Sequence, residues 1–262
     1  MKRLLIRIAA VIALASTPAL AADIALKAPC CSTPVWSWTG FYVGGNVGYS
    51  WGTDRIDNSV ASPPNAPITS TERLNINGAI GGGQAGYNWQ TGSWLLGLET
   101  DIQDSGQSGY GTLDPCVAAN PACDAVTLAK TESEKLTWFG TTRGRIGYAN
   151  TSWLLYGTGG IAYGGINYNG TTTASGAGAG TVTSSFTQTR IGWAAGGGVE
   201  ARLTGNWSWK LEYLFLDLQA PSAITATVAG FPQTTTFHAM HDDILRAGLN
   251  YRFNWGDPCC TR

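Results

Sequence analysis

Leu245-Arg246-Ala247-Gly248-Leu249-Asn250-Tyr251-Arg252-Phe253 separates into two faces when every second residue is read. Leu245, Ala247, Leu249, Tyr251 and Phe253 are apolar or aromatic, whereas Arg246, Gly248, Asn250 and Arg252 are small, polar or charged. A strand sends alternate side chains to opposite faces. In a soluble sheet the apolar face would turn inward. Here the pattern recurs about eight times behind a secretory leader, which favours a membrane barrel with its apolar face on lipid and its polar face on a lumen.

The leader is Met1-Lys2-Arg3, an apolar run from Leu4 to about Ala15, and Ser16-Thr17-Pro18-Ala19-Leu20-Ala21. A charged start, a short apolar core and an Ala-x-Ala site predict a signal peptide over 1–21, cut before Ala22. Its bases are Lys2, Arg3 and Arg7, so the mature chain keeps 13 bases against 17 acids. A nucleic-acid binder would need a basic surface. No later apolar run approaches the ~18 residues of a membrane helix, so any spanning segments are strands. The 35 glycines, 11 tryptophans and 10 tyrosines, with only 13% charged residues, suit a barrel wall with aromatic girdles.

Residues 22–35 read as a flexible periplasmic lead-in, 36–253 as the barrel and 254–262 as a tail. Strand one is Trp38–Trp51. Residues 52–72 hold Pro63, Pro64 and Pro67 and read as the first long loop. Strand two is Leu74–Trp89. Its second half turns Ala79, Gly81, Gly83, Ala85, Tyr87 and Trp89 outward, while Leu74, Ile76 and Ile80 fall in the opposite parity. Either this part leaves the bilayer or a bulge resets the register. Strand three carries Trp94, Leu96, Leu98, Thr100 and Ile102 outward. A second long loop covers about 104–133. Strand four carries Leu136, Trp138, Thr142, Ile146 and Tyr148 outward, and strand five Trp153, Leu155, Gly157, Ile161 and Tyr163. A Gly/Thr/Ala/Ser-rich loop, 169–184, precedes strand six, Arg190–Leu203. Strand seven carries Trp207, Trp209, Leu211, Tyr213 and Phe215 outward, a fourth loop covers 219–236, and strand eight ends at Phe253. Connections alternate long and short. The expected fold is all-β: an eight-stranded antiparallel transmembrane up-and-down barrel with four long external loops.

Parity turns Glu99, Asp101, Arg143, Arg145, Arg190, Glu200, Arg202, Lys210, Glu212, Arg246 and Arg252 inward. These charges either line a narrow pore or pair with one another as a plug. Eight strands enclose little more than side-chain volume, which favours the plug. His238 and His241 are the chain's two histidines, at the outer end of strand eight beside Asp242 and Asp243. They could ligate haem iron, but a spacing of three puts them on opposite strand faces, and rim residues are the better reading. Cys116 and Cys123 flank Asn120-Pro121 and are expected to form a local disulfide in an oxidising compartment. The pairing of Cys30, Cys31, Cys259 and Cys260 is open. No Gly-x-Ser-x-Gly motif marks a nucleophile, and the glycine runs lie within strands and open no helix, so neither an enzyme nor a phosphate loop is expected. No metal or cofactor is expected.

Trp38-Thr39-Gly40-Phe41-Tyr42-Val43-Gly44-Gly45-Asn46-Val47-Gly48-Tyr49 resembles the opening of the small porin-like outer-membrane immunogenic proteins of alphaproteobacteria, and 245–253 resembles their closing strand. Trp94-Leu95-Leu96-Gly97-Leu98-Glu99-Thr100-Asp101 and Gly197-Gly198-Val199-Glu200 also fit. The resemblance covers nearly the whole mature chain. It implies an abundant outer-membrane barrel, embedded in outer-membrane lipid and important for envelope integrity. Members described as haemin-binding or porin-like leave a narrow channel, a haem or host ligand at the external loops, and adhesion as alternatives. It also implies that Phe253, with Tyr251 two residues earlier, is the assembly signal read by the barrel-assembly machinery. The tail 254–262 departs from the family pattern by making that aromatic internal.

Overall fold

The computed structural model describes residues 36–62, 65–113, 126–176, 179–220, 223–228 and 231–253. The leader, the lead-in 22–35, all six cysteines with the expected Cys116–Cys123 pair, and the tail lie outside the described residues.

Eight antiparallel strands make the wall: β1 (Gly40–Ser62), β2 (Asn65–Thr91), β3 (Trp94–Leu113), β4 (Val126–Ala149), β5 (Trp153–Gly176), β6 (Gly180–Arg202), β7 (Trp207–Leu218) and β10 (Met240–Arg252). Each pairs with its neighbour, and β10 pairs with both β7 and β1, which closes the ring. Closure matters in lipid, because an open edge would leave backbone groups unpaired at several kcal/mol each. Two further strands, β8 (Ala223–Val228) and β9 (Phe231–Phe237), form a hairpin in the last outer connection. Within it, β9 continues the line of β10 along β1, pairing Ile56–Val60 with Phe237–Gln233.

Short turns join the strands at the periplasmic end. Gly92 and Gly205 take positive φ, 60° and 57°, a conformation open to glycine at no steric cost. In the turn between β4 and β5, the Asn150 side chain accepts hydrogen bonds from the backbone N–H of Ser152 and Trp153, both 2.8 Å.

The long outer connections differ from the sequence reading. Among the described residues, those expected as loops within 52–72, 104–133, 169–184 and 219–236 are mostly strand, and the wall runs beyond the outer aromatic girdle. Pro67 falls where the β1–β2 register shifts, so its missing N–H breaks little of the ladder. From Val60↔Ile68 down to Gly40↔Asn88 that register is continuous. No bulge resets strand two, and Leu74, Ile76 and Ile80 point inward.

What changes along the wall is the medium outside it. Between the girdles the outward residues are apolar: Val47 is 69% exposed and Leu98 59%. Inner girdle pairs include Phe41 with Tyr87 and Trp207 with Tyr251; outer pairs include Trp138 with Tyr163 and Trp193 with Phe215. Above the outer girdle the outward residues of β1 and β2 become Thr53, Arg55, Asp57, Thr71 and Arg73. Water replaces lipid there, so the apolar residues move to the inner face.

Two register shifts occur where none was expected, and the first, in β3–β4, falls between Asp104 and Gln107. The β4–β5 register shifts between Leu136 and Trp138. Parity flips across it, and Leu136, expected on lipid, is fully buried inside. Trp38, expected to begin strand one, precedes β1 and folds into the barrel mouth. Its backbone N–H donates to Gln90 and its indole N–H to the Asn150 carbonyl, at 2.8 and 2.6 Å. It packs on Leu95, Ala149, Leu154 and Tyr156, with Trp36 beneath.

Candidate functional site: a closed lumen and its outer rim

The inward residues of β3, β4, β6, β7 and β10 meet in one charged layer within the membrane span. Arg143 donates to Glu99 at 2.7 Å, to Asp101 at 3.0 Å and to Glu212 at 3.2 Å. Arg246 donates to Glu212 and Asp101 at 2.7 and 2.9 Å. Lys210 reaches both oxygens of Glu99, at 2.9 and 3.0 Å. Arg145 donates to Glu200 at 3.0 Å and to the Tyr42 hydroxyl at 2.7 Å, and its guanidinium lies 3.9 Å from the Tyr156 ring centroid. Tyr42 in turn donates to Glu99, and Tyr156 to Glu212. Gly198 leaves the room Tyr156 needs: a Cβ there would lie 2.7 Å from its hydroxyl. Four cations thus face four carboxylates, all nearly or fully buried. Buried charges persist only when paired and hydrogen-bonded in this way.

Of the predicted lumen charges, Glu99, Asp101, Arg143, Arg145, Glu200, Lys210, Glu212 and Arg246 form this layer. Arg190 stands higher, holding Asp54 at 2.7 Å and Glu134 at 3.0 Å. Arg202 and Arg252 lie at the periplasmic mouth over the Trp36 ring, 4.4 and 4.0 Å from its centroid. Arg202 is exposed rather than lumenal, because its strand ends there. Sequence reasoning missed the upper charges Asp54, Lys130, Glu132, Glu134 and Asp242, since their segments read as loop or rim. The alternating parity of 54, 56 and 58 was the signal available.

Above the charged layer the lumen is largely apolar, with Arg190, Lys130 and four carboxylates set into it. Ile56, Leu74, Ile76, Ile80, Leu136, Phe139, Ile166, Leu214, Leu216, Met240 and Ile244 form one buried cluster, capped by Tyr168 and Phe237. Trp38 below, ions in the middle and this cluster above fill the bore.

At the outer rim the pairing of β1 is interrupted between Thr53↔His241 and Ile56↔Phe237. His238 and Ala239 bridge β9 to β10 there, and the His238 N–H donates to the Arg55 carbonyl at 3.1 Å. Strand alternation therefore does not run from His238 to His241. Both line one cleft of about 340 Å³, where opposite faces were expected. Each ring nitrogen Nε2 faces an acid: His238 lies 2.7 Å from Asp57, and His241 3.3 Å from Asp217. Asp57 also accepts from Thr71 at 2.7 Å and from Arg55, and these bonds hold its carboxyl down to about 2, Thr71 foremost. Among the described residues no cluster of three or more His, Cys, Asp or Glu is disposed to hold a metal ion.

Residues 8–253 match the family model described as the outer membrane protein β-barrel domain. The chain is 34% identical over 255 residues to the 31 kDa outer-membrane immunogenic protein of Brucella melitensis, covering 94% of this chain and 98% of that one. It is 32% identical over 187 residues to the 22 kDa outer membrane protein of Rhizobium leguminosarum, covering 71% and 67%. Among solved structures it is similar to the outer membrane protein OprG of Pseudomonas aeruginosa, at 10% identity, covering 82% and 97%, with a TM-score of 0.38. The ring of strands, its girdles and the curated relatives agree: the chain is an outer-membrane protein and belongs to the outer membrane protein β-barrel domain family.

Proposed function

We propose that the protein is a non-catalytic structural barrel of the cell envelope, with a lumen that stays shut to ions. One observation carries this reading. Arg143, Arg246 and Lys210 are each at most 1% exposed, locked among Glu99, Asp101 and Glu212 across the full width of the bore. An ion path through a layer of charged side chains needs those charges wetted, and these have almost no water-accessible surface. Reconstituted barrel in planar bilayers is expected to leave the baseline flat. Steady single-channel steps would sink the proposal and restore the narrow porin.

Haemin binding through His238 and His241 ranks lower, because both outer nitrogens already face carboxylates. Adhesion through the outer connections stands behind it, with no observation of its own.

The same reading gives Phe253 and Tyr251 their part in assembly by the barrel-assembly machinery. The Phe253 N–H donates to the Phe41 carbonyl at 2.8 Å, closing the ring at its seam, and its ring meets Tyr251 edge-on at 5.3 Å. Phe253→Ala should lower the amount of heat-modifiable barrel in outer-membrane fractions. Wild-type amounts would remove that role.

A further inference from the structure

The cleft at the interrupted rim lies on the outside of the barrel, and its position and charge point to a ligand. Arg55 and Arg73 are outward residues directly opposite each other on β1 and β2. Like charges facing across a strand pair are destabilising unless something lies between them. Arg55 is aligned by Asp57, which accepts from its Nε and Nη2 at 3.2 and 3.1 Å. Arg73 makes no ion pair with the described residues. Both arginines line the cleft with Thr53, Ala239, His238 and His241, and with the inward-facing Asp54, whose charge is held by Arg190.

Height then selects the ligand. Thr53 and Arg55 stand two and four residues beyond Trp51, whose ring is on the outer girdle. At about 3.3 Å per residue and a tilt of about 40°, the cleft lies roughly 5 to 10 Å above that girdle. That is the depth of the lipid headgroups. His241 joins the site to the girdle itself, stacking on Phe215 with centroids 5.9 Å apart. A planar guanidinium matches phosphate oxygens two at a time, so the two arginines carry the contacts, while the His238 and His241 Nε2 atoms stay on Asp57 and Asp217.

We propose that this cleft is a binding site for the phosphate headgroup of an outer-leaflet lipid, held by Arg55 and Arg73 with His238 and His241 at its margin. The phosphate compensates Arg73, whose neighbour across the ladder, Arg55, already shares its charge with Asp57. Nothing in the closed lumen is needed for it.

The test is native mass spectrometry of the full detergent-solubilised barrel, titrated with phosphatidic acid or with phosphatidylcholine. Wild type is expected to retain one phosphatidic acid in preference to phosphatidylcholine. Arg55→Gln/Arg73→Gln should weaken that retention roughly tenfold. Lys135→Gln, an exposed cation on β4, should leave it unchanged. If the double variant loses its heat-modifiable fold, Arg73→Gln alone serves, because it breaks no ion pair. Equal retention of both lipids overturns the site. So does an equal loss on Lys135→Gln, which would mean a diffuse electrostatic belt. Displacement by inorganic phosphate at the lipid's own concentration would make it a soluble-phosphate site and overturn the lipid assignment.

Discussion

The charged layer in the membrane and the apolar cluster above it are built from the same strands with opposite polarity. Inside the bilayer, lipid takes the apolar residues, and the bore is left with Glu99, Asp101, Arg143, Lys210, Glu212 and Arg246. Above the outer girdle, water takes the polar residues, and the bore receives Ile56, Leu74, Ile76 and Phe139. One ladder thus runs through two solvents, and the solvent outside decides what lies inside. The two storeys also differ in balance. Four cations meet four carboxylates in the lower one. In the upper one Asp54, Glu132, Glu134 and Asp242 are buried with Arg190 and Lys130, an excess of acid among the described residues. The lower storey is a closed electrostatic unit, whereas the upper is held chiefly by packing.

On that contrast, truncating a charge below should cost most. Arg143→Ala would remove one of the cations shared by Glu99, Asp101 and Glu212 and leave three cations facing four buried carboxylates. Removing one member of a buried ion network costs about 3–5 kcal/mol, because the other charges stay buried. Denaturant titration of the heat-modifiable band should shift by that amount. A loss under about 1 kcal/mol, the range of exposed pairs, would show that the layer is hydrated.

Truncating an apolar residue above should cost somewhat less and act differently. Phe139 is fully buried in the upper cluster, and Phe→Ala in a core costs about 3–5 kcal/mol when the site cannot collapse. Here its neighbours Leu136 and Ile166 sit beside the β4 bulge, where the wall can adjust, so the low end of that range is expected. The lower ions remain in place, so the bilayer baseline should stay flat. Conductance steps in Phe139→Ala would move the seal from the ions to the cluster.

The membrane storey was legible in the sequence because lipid imposes a strict period of two. Every lower-layer charge was placed inward from parity alone. The upper storey was not legible, and the reason is physical. The outward face there is Thr, Arg, Asp and Asn, as in any solvated loop, and Pro63, Pro64 and Pro67 made 52–72 look broken. Leu74, Ile76 and Ile80 signalled the change, by appearing in what looked like the wrong parity, and so did the alternation of Asp54, Ile56 and Asn58. The Leu136 error has another cause, since the bulge before Trp138 has no signature in the residues around it. The histidine cleft was hidden by the same assumption of an unbroken strand. It depends on the break at Ala239 and on Arg55 and Arg73, the first inside an expected loop and the second between that loop and strand two.

The smallest expected effect tests the acid excess itself. Glu134 lies above the girdle, bonded to Arg190 and in hydrogen-bond contact with Asp54. Burial, and after it the Asp54 charge, push its carboxyl well above the usual 4.5. Arg190 faces both carboxylates from β6, and Glu132 adds a further negative charge from β4. A carboxyl raised in the folded state binds its proton more tightly there than in the unfolded chain. Its stabilisation is therefore complete below about pH 4.5 and is lost as pH rises through the folded value. Amides of the outer strands should accordingly exchange more slowly at acidic than at neutral pH, after correction for intrinsic exchange. Glu134→Gln keeps the neutral shape and should flatten that dependence, while leaving the amides around Arg143 unaffected. Because the lower storey is balanced, a pH response that survives Glu134→Gln, or appears equally around Arg143, would end the distinction between the two.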